Sequence, residues 1–224
     1  MVAGEHEWER IARDLLGKIQ RGVYEPGAQL PTESELRVEY GVARNTAQRA
    51  LTWLVGKGYV APRSTRGVFV RSYDRQLVSA GLSAESREAD ARVEVGVVEP
   101  PAEVAARMPG LTEVWRRRAV RPGHLVDAYI APELAERVPE LRGPKALGDP
   151  HAVWLQRAGL EVEHQAVFVA RMPTIEEEQL LELLPATPLL EQTSTVADAA
   201  GRVLVVRVDL YAGDRTALRA NLAP

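Results

Sequence analysis

The chain has 224 residues, 46% hydrophobic and 26% charged, a balance that permits a real core in one large domain or two modest ones. It has no cysteine, which removes disulfide frameworks and thiolate metal sites and fits a reducing cytoplasm. The N-terminus lacks an apolar run behind a basic start, and no apolar stretch nears the roughly 20 residues of a membrane helix. Neither a signal peptide nor a membrane span is therefore expected. The net charge of −3 is unevenly placed: residues 1–75 hold 12 Lys/Arg against 9 Asp/Glu, and the remainder holds 16 against 22. Between Gly41 and Arg71 there are six basic residues and no acidic ones. Charge alone fits a solvated face as well as it fits a surface for nucleic acid.

In chain order, Trp8, Ile11, Ala12, Leu15, Leu16 and Ile19 recur at helical spacing, predicting a helix over residues 6–21 that stops at Gly22. Pro26-Gly27 marks a turn, and Leu30-Pro31 an extended entry. Thr32 is placed as the N-cap of a short second helix ending at Tyr40-Gly41, with Glu33 and Glu35 in its first turn. A third helix runs from about Ala43 to Gly56, with Ala47, Ala50, Leu51, Leu54 and Val55 on one face. Two short strands follow, Gly58–Ala61 and Gly67–Arg71, around a basic turn. Residues 72–90 lose periodicity and read as a linker.

Beyond Ala91, strands are expected at Val93–Val98, Glu113–Val120, Leu125–Ile130, Leu160–Ala170, Pro188–Ala197 and Val203–Tyr211. Helices are expected at Pro101–Arg107, Pro150–Ala158 and Ile175–Leu184, the last opened by a capping box from Thr174 to Glu177. Asp198–Arg202 reads as a hairpin turn. The fold class is α+β with an antiparallel sheet in the second part.

The first part has the order helix, helix, turn, helix, hairpin, which is a winged helix-turn-helix. Gly41 supplies the turn, and Val42, Ala47 and Ala50 let the helices approach. The third helix then presents Arg44, Asn45, Thr46 and Gln48 in its first turn, with Arg49 one step further round. Arg can pair with guanine, and Asn or Gln with adenine. Thr32 and Thr46 can donate to phosphates, while Arg63, Thr65 and Arg66 sit on the wing.

These residues closely resemble the DNA-binding domain of the GntR family of bacterial regulators. The likeness lies in G-x-Y-x-P-G-x-x-L-P-T-E (Gly22 to Glu33), Y-G-V-x-R-x-T (Tyr40 to Thr46), Ala50-Leu51 with Leu54, Gly58-Tyr59-Val60, and Arg66-Gly67 before Phe69-Val70. Glu33 and Gly67 fall inside the matched segments and complete the expected DNA-contact set. The chain departs from the family pattern at Ala43, where Ser or Thr is usual, and at Gln48, where Arg is usual.

Residues 91–222 resemble the UTRA effector domain of the HutC-like branch. The pieces are Arg116–Arg118, Asp127-x-Tyr129-x-x-Pro132, Ala170-Arg171-Met172-Pro173-Thr174-x-x-Glu177, Pro188-Leu189-Leu190, Asp198–Arg202 and Gly213-Asp214-Arg215. The resemblance implies a small-molecule pocket on a bent antiparallel sheet of chorismate-lyase-like topology. A polar or anionic effector is expected, with Arg116, Arg118, Asp127, Tyr129, Gln165, Arg207 and Tyr211 as candidate contacts and His164 as a further polar strand residue. Side chains two apart share a strand face, grouping Arg116 with Arg118, Asp127 with Tyr129, and Arg207 with Asp209 and Tyr211.

The expected organisation is a DNA-binding domain over 1–71, a linker over 72–90 and an effector-binding and dimerisation domain over 91–224. The expected protein is a cytoplasmic, homodimeric repressor, released from an inverted-repeat DNA operator by a small molecule. It is expected to be no enzyme, with no catalytic residues, cofactor, metal or membrane partner. The four histidines lack metal-ligand spacing. The alternative is an effector-blind DNA-binding regulator, for example of plasmid transfer, with a degenerate pocket.

Overall fold

The computed structural model describes residues 6–63, 66–79, 91–144, 155, 159 and 162–219. The chain divides into two compact units, one of residues 1–74 with 184–187, the other of 75–183 with 188–224. Among the described residues, no helix is long and apolar enough to cross a membrane.

The first unit begins with α1 (Glu7–Gln20), whose apolar stripe buries Ile11, Ala12 and Leu15. The next helix, α2 (Glu33–Tyr40), starts at Thr32, whose hydroxyl accepts from the Glu35 amide while the Glu35 carboxylate accepts from the Thr32 amide. That reciprocal box satisfies two amides that a helix start leaves open. Gly41 ends α2 in the left-handed region (φ +65°), a conformation glycine adopts without the strain a Cβ would bring. The third helix, α3 (Arg44–Gly56), buries Ala47, Ala50 and Leu54. All three helices close one core with Leu30, Leu36, Val60 and Val70. Tyr40 at the end of α2 donates to the Asp14 carboxylate of α1, and Lys18 donates to both Tyr40 and Glu39. Burial and the Asp14 bond push the Tyr40 hydroxyl up to about 12.

Strands β1 (Val60–Pro62) and β2 (Val68–Val70) form the antiparallel wing hairpin. The Gly27 and Leu30 amides bond the carbonyls of Val70 and Val68, so this extended segment runs beside β2.

In the second unit, β3 (Gln76–Ser79) lies within the stretch expected to be a linker. It pairs in parallel with β10 (Thr216–Arg219). Four residues among serines and charges give little periodicity, and the pairing partner is about 140 residues away, so tertiary context made this strand. Residues 80–90 lie outside the described residues.

The main sheet is six-stranded and antiparallel, in the order β4 (Arg92–Val98), β5 (Val114–Arg121), β6 (His124–Ile130), β9 (Val203–Ala212), β8 (Leu189–Asp198), β7 (Val162–Arg171). The β8–β9 hairpin closes at Asp198–Arg202, where the Asp198 carboxylate accepts from the amides of Ala200 and Arg202. One sheet face packs against α4 (Ala102–Ala105), through Val104 on Val114, Tyr129 and Val206, and against Leu181, which follows α6 (Ile175–Leu180). The other face packs against α5 (Pro132–Arg137) and a 3-10 turn (Pro139–Arg142), through Leu134, Ala135, Val138 and Leu141.

Two helix expectations need revision, and a third is not tested. The first ran to Arg107, but α4 is a single turn. The last ran to Leu184, but α6 stops at Leu180, where the Leu183 amide returns to the Glu178 carbonyl and Glu182 adopts φ +51°. That closure terminates a helix without glycine. The helix expected at Pro150–Ala158 lies outside the described residues except for Leu155, which is helical and buried. The helix α5 and the turn after it were not expected; Pro132 and Pro139 open them, at the first helical position that proline suits.

Candidate DNA interface and ligand cavity

At about 100° per residue, the buried Ala47, Ala50 and Leu54 fix the outward face of α3. That face carries Arg44, Asn45, Gln48 and Arg49, all exposed. Thr52, unremarked in the sequence, is exposed at the centre of the same face one turn on. Thr46 is half-buried at the edge.

The contacts of these residues separate their roles. The Arg44 guanidinium meets Glu33 of α2 at 2.8 Å, so Glu33 orients Arg44 and is not itself a donor to DNA. Both groups are at least partly exposed, so the pair is weak and easily exchanged for a base or phosphate. Arg49 lies over the Trp8 ring of α1 at 5.3 Å, which holds it toward α1 at one edge of the face. The Thr32 hydroxyl gives its hydrogen to Glu35 at 2.8 Å and is engaged as a cap. No side chain caps α3 at Ala43; the Thr46 amide bonds the Ala43 carbonyl at 3.1 Å, and the amides of Arg44 and Asn45 are left to solvent or to an anion.

The wing is braced from α2's side of the unit. Gln29 Nε2 donates to the Arg66 carbonyl at 2.8 Å, and a Cβ on Gly67 (φ +110°) would stand 2.9 Å from the same atom. The positive φ strains any residue but glycine there, and a Cβ would push on the Gln29 amide that braces the wing. Arg63 stacks on Phe69 at 4.9 Å, and Arg66 is exposed. Thr65 lies outside the described residues.

In the second unit, a cavity of about 1040 Å³ opens on the sheet face shared with α4 and α6. Leu125, Val208 and Leu210 line it with Val167 and Val169, and Tyr129, Thr193 and Thr174 add hydroxyls. Arg118 of β5 closes a two-pronged bond on Asp127 of β6, Nε to Oδ1 at 2.8 Å and Nη2 to Oδ2 at 2.6 Å, because the hairpin register sets them opposite. This bond raises the Arg118 guanidinium. Burial, reinforced by the Asp127 charge, raises the Tyr129 hydroxyl.

A second closed pair lines the same cavity and was not among the expected contacts. Arg171 donates through Nε to Glu191 at 2.7 Å and through both Nη atoms to Glu177 at 2.8 and 2.7 Å. The Arg171 bonds hold the Glu177 carboxyl below its ordinary value despite partial burial. Glu177 is also the capping-box residue of α6, accepting from the Thr174 amide at 2.7 Å. The spacing from Arg171 to Glu177 and the capping box at Glu177 were visible in the sequence, and the pairing that follows from them was not drawn.

The expected effector residues do not form one set. Arg118, Asp127 and Tyr129 line the cavity. Arg116 and Gln165 share its sheet face by strand parity but lie outside its lining. Arg207 and Tyr211 are on the opposite face, since Val208 and Leu210 are the residues of β9 turned to the cavity. There Arg207 donates to Asp209 at 2.7 and 2.6 Å, and the Tyr211 hydroxyl donates to the same carboxylate at 3.2 Å. His124 stacks on Tyr211 at 4.5 Å with Nε2 3.4 Å from Asp209. Asp209 is 1% exposed, yet the Arg207 charge and the bonds from His124 and Arg207 outweigh burial and hold its carboxyl below the usual range. Burial lowers His124 against the pull of Asp209. His164 is likewise lowered, by burial and then by the Arg207 charge.

Comparison with known proteins supplies the context for both sites. Residues 8–70 match the family described as bacterial regulatory proteins, gntR family, and residues 87–217 match the UTRA domain. An uncharacterised HTH-type transcriptional regulator of Streptomyces coelicolor is 28% identical, the alignment covering 94% of this chain and 90% of the relative. The mannosyl-D-glycerate transport/metabolism system repressor MngR of Escherichia coli is 28% identical over 88% of this chain and 87% of its own. The crystal structure of PhnF from Mycobacterium smegmatis shares the fold with a TM-score of 0.54 at 20% identity, covering 95% of this chain and 99% of that one.

Proposed function

Because the chain belongs to the gntR family of bacterial regulatory proteins and carries a UTRA domain, we propose that it represses transcription as a homodimer on an inverted-repeat operator and leaves the DNA when a small molecule fills the cavity of the second unit. The protein is a DNA-binding transcriptional regulator and not an enzyme, as its family and full-length relatives are.

The observation that carries the reading is the outward face of α3. It places Arg44, Asn45, Gln48 and Thr52 side by side without an acidic residue, beside a wing that exposes Arg63 and Arg66. Arg44, Asn45 and Gln48 would read base edges in the major groove. The uncapped start of α3 suits a phosphate oxygen, and the wing arginines suit the neighbouring backbone or groove. We assign DNA binding to residues 1–71, effector binding and dimerisation to 91–224, and the connection to 72–90, within which Gln76–Ser79 pairs with β10 as part of the second unit. Arg118, Asp127 and Tyr129 belong to the effector site, with Arg171, Glu177 and Glu191 added. A coupling of about 1–3 kcal/mol between the two sites would lower operator affinity 5- to 150-fold.

Fluorescence anisotropy of the whole protein tests this. At about 0.15 M salt it is expected to bind duplex from its own upstream region at least about 1,000-fold tighter than random duplex. Equal affinity for the two duplexes would overturn the reading.

A further inference from the structure

We propose that the second unit holds another small-molecule site, separate from the cavity assigned to the effector, and that its ligand is an apolar carboxylate. The site is a cavity of about 670 Å³, within the roughly 300–1,000 Å³ that small-molecule sites occupy. Three segments enclose it: the stretch between residues 106 and 111 after α4, residues 131–133 at the start of α5, and residues 201–203 of the β8–β9 hairpin. Its floor is apolar. Met108 and Ala131 are each 2% exposed and belong to one core cluster, against which Leu111 and Val203 pack. Backbone bonds hold the walls in place without a ligand: the Ala131 amide bonds the Leu204 carbonyl at 2.9 Å, and the Leu111 amide bonds the Met108 carbonyl at 3.3 Å.

The charged groups at the rim fix the class of ligand. Arg202 is engaged, its Nε and Nη2 donating to Asp198 at 3.0 and 2.8 Å and its Nη1 lying 3.5 Å from Glu133. Arg107 is half-buried and differently placed. Its Nη1 donates to the Glu103 carbonyl at 2.7 Å, which anchors the guanidinium, and among the described residues no carboxylate bonds its other nitrogens. Two parallel N–H groups on one guanidinium edge match the two oxygens of a carboxylate. Glu133, in the same lining, opposes a second negative charge and so disfavours a phosphate dianion. The apolar floor then takes the body of the acid, and each methylene withdrawn from water strengthens binding.

Arg107 lines both cavities, and the methionines tell the two apart. Of the three in the chain, Met108 lines the proposed site and Met172 lines the first cavity. Full-length protein carrying methyl-labelled methionine gives a separate signal for each, assigned with Met108→Leu and Met172→Leu. Benzoate at millimolar concentration is expected to move the Met108 methyl saturably and to leave Met172 in place. Benzyl alcohol, of the same size and without the charge, is expected to bind about 5-fold more weakly, the upper end for a half-exposed ion pair. Arg107→Gln should bring that ratio to about 1 without changing the binding of benzyl alcohol. Val203→Phe fills the cavity and should remove both responses. A Met108 signal that neither probe moves, a Met172 signal that moves at lower benzoate concentration, or responses that survive Val203→Phe overturn the second site. Equal binding of the two probes, or a ratio that Arg107→Gln leaves unchanged, overturns the carboxylate assignment.

Discussion

Substituting Ala43 by Ser adds to α3 the cap its sequence omits, and the structure sets the size of the gain. Ala43 sits at φ −68°, ψ 156°, nearly the backbone of Thr32 at φ −65°, ψ 162°, where a hydroxyl already takes the third amide of α2 at 3.3 Å. A serine hydroxyl at 43 would reach the Thr46 amide, which now bonds the Ala43 carbonyl at 3.1 Å and would share its hydrogen between the two, and the site is exposed. The third helical residue is Thr46 and not Glu, so only half a capping box forms, and the expected gain is about 1 kcal/mol. For a unit of this size that is a rise of about 4–8 °C in Tm. The melt is followed on the indole signals of Trp8 and Trp53, both packed on the core of the first unit. Ala43→Gly controls for backbone effects and should fall short of the serine by a few tenths of a kcal/mol, while Thr32→Ala should cost about 1 kcal/mol at the capped helix. If Ala43→Ser gains no more than Ala43→Gly, the geometric equivalence of the two helix starts is refuted.

Other consequences are open to direct measurement. Arg44→Ala should cost about 1–3 kcal/mol of operator affinity and relax discrimination at one base pair, whereas Arg66→Ala should weaken binding to all sequences alike and lower the salt slope by about 1. Anisotropy titrations at several salt concentrations separate the two. Gly67→Ala places a Cβ 2.9 Å from Gln29 Nε2 at a positive φ, so it should loosen the wing, weaken DNA binding and leave α3 amide exchange unchanged. The second unit should lose stability in acid. Asp209 and His124 both have folded values below their ordinary ones, so each contributes stability that is complete above the unfolded value and drains away as pH falls. The His124 contribution therefore starts to fade below about pH 6.5, and that of Asp209 below about pH 4. Urea midpoints taken between pH 7.5 and 5 should fall, and His124→Phe should flatten that dependence.

The first unit was readable because its signals are local. Thr32 with Glu35, Gly41 in the left-handed region, and the spacing of Ala47, Ala50 and Leu54 each fix a feature within one helical turn of themselves. Its two strands were displaced only by a residue or two, as frayed ends are. The second unit was readable strand by strand but not face by face. Parity within a strand correctly joined Arg207 to Asp209 and Tyr211, and Asp127 to Tyr129. Which group shares a face with which depends on inter-strand register, and a shift of one residue turns a whole strand over. Here Asp127 stands opposite Arg118 on one side and Val208 on the other, which sends Arg207 to the far face. The parallel partner of Gln76–Ser79 was out of reach for the same reason: nothing in four residues names a strand at Thr216.

Arginines on strands, Arg116, Arg118 and Arg207, suggested an anionic ligand, and Arg118 and Arg207, with the unforeseen Arg171, show why residue type alone misleads. A guanidinium marks an anion site only if its fork is open. Arg207-x-Asp209 shares one strand face at adjacent positions, so a neighbouring carboxylate was already within reach of the guanidinium in the sequence. Arg118 and Asp127 are joined across the tight turn at Pro122-Gly123, where Arg121 pairs with His124 and each step outward pairs one residue of β5 with one of β6. Counting three steps from that turn brings the two side chains face to face. Arg171 and Glu177 lie six residues apart across the entry to a capped helix whose box requires Glu177 to point back along the chain. In each case the pairing follows from a local rule applied to charged residues and not to apolar ones. Counting those pairs before assigning a ligand shows Arg118, Arg171 and Arg207 already engaged by carboxylates, the first two in the cavity lining.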